Sequence, residues 1–165
     1  MSKQSATTPR YQASVFFVEN IQKSTRFYSE VLGQKVVQDF GANVTFEGGL
    51  SLWEKEYALN VIFEGQGKQI PVGANNSEIY FESSDIDAFY ERLVKEQVRV
   101  IHPVMEHPWG QRGFRVYDPD NHILEFGEPM SDTVLRLHKQ GLSVDEVAKK
   151  SMMPLDFIHS VLQTK

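Results

Sequence analysis

Cysteine is missing from all 165 residues, so disulfides, zinc–thiolate sites and cysteine nucleophiles are excluded; the absence fits a reducing compartment. No apolar run approaches the ~18 residues that would span a bilayer. The N-terminus, MSKQSATTPR, lacks the apolar core of a secretory signal. A soluble, cytoplasmic protein is expected. Excess positive charge is missing as well: 17 Lys and Arg stand against 22 Asp and Glu, for a net charge of −5. Phosphate affinity needs clustered cations, so nucleic acid and anionic membranes are poor candidate partners. The 41% hydrophobic and 24% charged residues are ordinary for a globular chain, long enough for one packed domain or two small ones sharing a core.

What is present is organised as a repeat. After a polar tail, read as mobile, Val15-Phe16-Phe17-Val18 reads as a buried strand. Asn20 is placed to cap the helix IQKSTRFYSEVLG, with Gly33 as its stop. KVVQDF, NVTFE and LSLWE follow as short strands separated by Gly-rich turns. Residues 55–76 are less regular: Leu59 to Phe63 reads as a strand or a loop wall, and GQGKQIPVGANN as a linker. The order then restarts with strand SEIYFES and a helix DIDAFYERLVKEQ, with Ser84 read as its cap. VRVIHPVMEH is a strand interrupted by Pro103. Phe27-Tyr28 in the first helix matches Phe89-Tyr90 in the second. Residues 11–55 and 77–128 are therefore two tandem βαβββ modules of an α+β fold.

The second module closes on WGQRGFRVYDPDNHILEFGE, residues 109–128. Two alternating runs flank Asp118-Pro119-Asp120-Asn121, whose residues favour a tight turn, so the stretch reads as a β-hairpin. Within its second strand Glu125 sits between Leu124 and Phe126. A carboxylate in such an apolar strand must point into a cavity or onto a partner such as a neighbouring Arg or Tyr, because an unpaired buried charge is costly.

Phe27-Tyr28 with Leu32-Gly33, Asp85 with Phe89-Tyr90, and Asp118-Pro119-Asp120-Asn121 leading into Glu125 together resemble the vicinal oxygen chelate superfamily. That superfamily holds glyoxalases, extradiol dioxygenases, epimerases, fosfomycin-resistance enzymes and bleomycin-binding proteins. The resemblance spans about residues 11–128. It implies a glyoxalase/bleomycin-resistance-like domain over 11–130, its tandem modules forming a curved mixed sheet around a cavity. It also implies a small-molecule ligand, a homodimer, and a divalent ion (Zn, Ni, Mn or Fe) held by four positions. Counted from the shared motifs, those positions are Ala13, Ser51, Glu78 and Glu125. Ala13 carries no donor and Ser51 a poor one for a hard cation, so only Glu78 and Glu125 could be ligands and the usual set is incomplete.

Two classes of function follow. One is an enzyme, a metal-dependent lyase, isomerase or dioxygenase, with Glu125 as ligand or catalytic base and Glu78 as its partner. The other is a metal-free protein that holds an aromatic ligand between aromatic walls. Trp109, Gln111 and Arg112 lie where members of the superfamily often line the pocket, with Trp109 and Arg112 as candidate substrate contacts, and Phe16, Phe46, Trp53 and Tyr80 are candidate cavity walls. His102 and His107, beside Pro103 and Pro108, read as surface positions. Residues 131–165 change character and read as three short helices, with Ser143 and Glu146 as a capping box and Pro154 in a first helical turn. This segment resembles a bacterial helix–turn–helix, which would make the chain a ligand-responsive regulator. Its five Lys or Arg against four acids favour instead a packed helical appendage.

Overall fold

The computed structural model describes residues 10–66 and 69–163; most of the polar N-terminal tail and part of the 65–76 linker lie outside them. The chain divides into two compact units, one ending at Val72 and the other beginning at Gly73.

The first unit runs β1 (Ser14–Val18), α1 (Ile21–Arg26), β2 (Val36–Asp39), β3 (Asn43–Phe46), β4 (Leu50–Glu54) and α2 (Lys55–Phe63). Asn20 caps α1 as expected, its side chain accepting from the Lys23 amide at 2.8 Å. The helix then widens into a π-helical turn at Phe27–Val31, where the Leu32 amide donates five residues back to the Phe27 carbonyl. The stretch expected as a strand or loop wall at Leu59 to Phe63 is the end of α2 instead. Lys-Glu-Tyr-Ala, just before it, opens the helix with strong helix formers, and Ala58 fits buried against the unit. Sheet order is β1-β4-β3-β2, with β1 and β4 parallel and the other pairs antiparallel.

In the second unit the same order returns: β5 (Glu78–Glu82), α3 (Ile86–Lys95), β6 (Val100–Glu106), β7 (Arg112–Tyr117) and β8 (Ile123–Gly127), with sheet order β5-β8-β7-β6. Asp85, rather than the expected Ser84, caps α3 by accepting from the Ala88 amide. Pro103 does not end its strand. β6 is an edge strand, where a missing amide removes no ladder bond, and the register shifts on either side of the proline.

Aromatic packing between helix and sheet recurs in both units. In the first unit Tyr28 lies against Phe46, ring centres 5.7 Å apart; in the second Tyr90 lies against Phe114 at 5.1 Å, and Phe89 against Phe126 at 4.9 Å. Fully burying each such ring contributes roughly 1.5–3 kcal/mol. The helix-facing side of each sheet therefore holds its unit together. The opposite face is not required for that task and can carry polar residues.

Three helices close the chain: α4 (Met130–Lys139), α5 (Val144–Ser151) and α6 (Leu155–Gln163). They form a cluster of their own around Val134, Leu137, Val147 and Ile158, all fully buried. The Ser143–Glu146 capping box is present at the start of α5. No helix among the described residues is long and apolar enough to cross a membrane.

Candidate functional site

Strand pleating sorts the second sheet into two chemistries. Phe114, Val116, Leu124 and Phe126 are buried on the side of α3. On the other face, pairing sets Tyr80 beside Glu125, Arg115 beside Glu125, and His102 beside Arg115. One row across the sheet therefore reads Tyr80, Glu125, Arg115, His102, and Glu78 shares a face with Tyr80 along β5.

Arg115 joins this row together. Its Nε donates to Glu78 Oε2 at 2.9 Å, its Nη1 donates to His102 Nε2 at 3.3 Å, and its Nη2 forms an ion pair with Glu125 Oε1 at 2.8 Å. A guanidinium only donates, so His102 Nε2 accepts and its Nδ1–H donates to the Pro103 carbonyl at 2.9 Å. Glu125 is buried, with 8% of its surface exposed. Burial lifts its carboxyl above the ordinary range; Arg115 opposes that rise and the charge of Glu78 adds to it. The more exposed Glu78 moves the other way, lowered chiefly by its hydrogen bond from Arg115.

An aromatic wall stands beside the carboxylates. A tight turn, closed by the Gly110 amide donating to the His107 carbonyl, brings Trp109 flat onto the His107 ring, 4.5 Å between centres and 9° between planes. Gly110 takes φ +84° there, a conformation that side-chained residues rarely adopt. Rather than lying on the surface, His107 is buried under the indole, and its Nε2 has no hydrogen-bond partner and lies 3.8 Å from Glu125 Oε1. Burial first, and then the charge of Arg115, pull this imidazole below its ordinary value. Trp109 Nε1 donates to Gln111 Oε1 at 3.0 Å, Gln111 Nε2 donates to the Tyr80 hydroxyl at 2.9 Å, and that hydroxyl donates to Glu82 at 3.2 Å. Gly127 makes this possible, since a Cβ there would stand 2.8 Å from Gln111 Nε2 and 2.9 Å from the Tyr80 hydroxyl.

Of the residues singled out in the sequence, Glu78, Glu125, Tyr80, Trp109 and Gln111 thus come together, joined by Arg115 and by His102 and His107, which the sequence places on the surface. Arg112 does not join. It lies two strand positions from Phe114 on the helix side, and its guanidinium is committed to Asp87 of α3 by two bonds of 2.7 and 2.8 Å. Within the first unit, Trp53 packs near Phe17 and Tyr57, with its Nε1 buried and unpartnered, and Phe16 is a half-buried residue of β1. Ser51 is buried and hydrogen-bonded to Thr45 at 2.8 Å, and Ala13 precedes β1. Arg115 was legible in principle: continuing the hairpin register back through the Asp118–Asn121 turn sets it opposite Glu125.

The residues present do not fit the divalent ion that the superfamily implies. A metal bound to both Glu78 and Glu125 would need oxygens at about 2.0–2.2 Å, where the Arg115 guanidinium now sits with a charge of the same sign. Among the described residues no group of three or more His, Asp or Glu is arranged to hold one.

Two repeated sheets, each covered by a helix on one side, with a polar row on the second sheet's face away from its helix, match the vicinal oxygen chelate class of fold. A family profile described as Glyoxalase-like domain matches residues 11–131, and the chain belongs to that family. No curated protein sequence matches it. Among solved structures, a protein of unknown function from Agrobacterium tumefaciens str. C58 is 37% identical, the match covering 76% of this chain and 98% of that one with a TM-score of 0.69. A glyoxalase/bleomycin resistance protein/dioxygenase from Nocardioides is 21% identical over 75% of this chain and 85% of its own, TM-score 0.61. A lactoylglutathione lyase from Agrobacterium tumefaciens is 19% identical over 73% and 94%, TM-score 0.58. At these two lower identities the likeness is one of fold.

Proposed function

We propose that the chain binds a small, flat organic molecule on the polar face of β5–β8 without a divalent metal, in the manner of the binding members of its superfamily. One observation carries this reading: Arg115 is locked between Glu78 and Glu125 beside the Trp109–His107 stack. Two carboxylates against one guanidinium leave the row with an excess of negative charge and of hydrogen-bond acceptors. The ligand chemistry that complements it is an aromatic ring bearing an amine or other hydrogen-bond donors, with the ring laid against the exposed aromatic surface.

The test is metal analysis of protein purified without chelator, for wild type and Glu125→Gln, together with Trp109 fluorescence titrations against aromatic amines and aromatic carboxylates. Metal far below stoichiometric, with saturable quenching by amines that Glu125→Gln weakens, is the expected result. Stoichiometric Zn, Ni, Mn or Fe in the wild type, lost in Glu125→Gln, overturns it. A second reading, an enzyme with Glu125 as proton acceptor, draws on the raised carboxyl facing the unpartnered His107 Nε2. Turnover of a bound compound that Glu125→Gln abolishes would establish it.

A further inference from the structure

The family match ends at residue 131, whereas the chain continues through α4, α5 and α6. The Agrobacterium protein of 37% identity is matched over 98% of its own length by 76% of this chain, so it has no room for an equivalent of these helices. Their composition gives little support to DNA reading: α6 carries Asp156 in its first turn and no basic residue in its last among the described positions.

The contacts these helices make converge on one place. Arg136 of α4 donates through Nη2 to the Gly110 carbonyl and to Glu128 Oε1, through Nε to Glu128 Oε2 at 3.4 Å, and through Nη1 to Glu106 Oε2 at 3.1 Å. Lys150 of α5 donates to the other oxygen of Glu106 at 2.6 Å. Leu137 and Lys150 pack so close to Gly110 that a Cβ there would meet them at 3.0 and 3.2 Å. Glu128, 5% exposed, also accepts from the Arg112 amide and the Thr133 hydroxyl, and its carbonyl accepts from Gln111 Nε2. Residues 106–112 are therefore gripped on the side away from the carboxylate row by α4 and α5. That segment carries His107, Trp109 and Gln111, which form the aromatic wall and the bond to Tyr80.

We propose that the C-terminal helices are a brace for the ligand site, with Arg136 as the positioning residue that sets the Trp109–His107 stack against the sheet. The proposal rests on reading that face as the binding site. Arg136 itself touches no residue of the carboxylate row. It acts by fixing the Gly110 carbonyl, and so the turn, through a forked donor that reaches two carboxylates and a carbonyl at once. A lysine offers a point charge in place of that fork.

The experiment measures acrylamide quenching of Trp109 in a Trp53→Phe background, so that one indole reports and no ligand is needed. Arg136→Met is compared with Ile158→Ala, which loosens the helical cluster from its core without touching the turn. Arg136→Met should raise the quenching constant by roughly twofold or more as the turn opens locally. Arg136→Lys should give an intermediate rise, and Ile158→Ala should lower the melting temperature while leaving the quenching constant at the wild-type value. Equal quenching in Arg136→Met and wild type overturns the proposal, as does a rise in Ile158→Ala matching that of Arg136→Met. If Arg136→Met does not fold, Arg136→Lys decides: wild-type quenching overturns the brace, and increased quenching upholds it. Failure of amine binding in wild-type protein with the quenching pattern intact would sink the ligand reading and leave the brace standing.

Discussion

Replacing Arg115 with Met keeps an apolar stem of similar length and removes the guanidinium from between the two glutamates. Glu78, with 42% of its side chain exposed, can turn to water, and its half of the interaction is worth little. Glu125, with 11% exposed, cannot, and it has two ways to respond. It can stay charged without a counter-ion, at a cost of several kcal/mol, or it can take up a proton. From an ordinary value of 4.5, protonation at pH 7 costs about 3.4 kcal/mol, at 1.36 kcal/mol per unit. The cheaper route sets the ceiling. Relief of the burial of Arg115's own charge offsets part of it, so about 2–3 kcal/mol should be lost at pH 7.

At pH 5 the same protonation costs only about 0.7 kcal/mol, so most of the penalty disappears. The sign is that of a carboxyl whose folded pKa is raised: its contribution is fully present below 4.5 and is lost as pH rises through the folded value. Burial already raises Glu125 in the wild type, which therefore shares some of this slope. The difference in ΔΔG between the two pH values should be about 2 kcal/mol. Urea unfolding of wild type and Arg115→Met at pH 7 and pH 5 measures it, and Arg115→Met/Glu125→Gln should recover most of the loss at pH 7. A penalty equal at both pH values, or a double variant as unstable as the single, would refute the idea that Arg115 serves to hold Glu125 charged.

Gly127→Ala should disrupt the site more than the fold: its methyl displaces the Gln111 amide and the Tyr80 hydroxyl, so amine-induced quenching of Trp109 should fall severalfold in fluorescence titration for a stability loss of about 1–2 kcal/mol. His107, lowered from 6.5 by burial and by Arg115, gives stability that is complete above 6.5 and drains away as pH falls through the folded value. His107→Phe should accordingly flatten the melting temperature between pH 7 and pH 5, measured by calorimetry; an unchanged slope would count against a neutral buried imidazole.

The modules were legible because their signals are local and repeated. Turn formers, helix caps and the Phe-Tyr pairs recur at matching places, and each restates the same strand order. Glu78 comes only from the family resemblance, whereas Glu125 stands out because a carboxylate in an apolar strand violates its surroundings. Arg115 does not, since an arginine alternating with Phe114 and Val116 looks like any solvated strand residue until the hairpin register sets it opposite Glu125. His107 was misplaced for a different reason. Spacing says nothing about a turn that folds a downstream indole back over a ring, and the burial of His107 depends on that turn. Arg112 was overvalued because its face depends on strand parity, and one residue of parity separates the site from the helix side.

The duplication also provides an internal control for the site. Pairing aligns the two sheets residue for residue: Thr45 stands opposite Ser51 in the first as Arg115 stands opposite Glu125 in the second, and Val15 pairs with Ser51 as Tyr80 pairs with Glu125. Two scaffolds of one design thus carry different chemistry at the same address. In the first, two hydroxyls share a neutral hydrogen bond of 2.8 Å; in the second, a carboxylate and a guanidinium form an ion pair of 2.8 Å. The neutral pair shows that the fold itself does not require charge at this position. A buried ion pair is weak evidence for stability, because well-packed neutral residues of similar volume commonly do as well or better. The fold alone therefore does not account for the charges in the second sheet, and it is on that sheet, around Glu125, that ligand binding should be sought first.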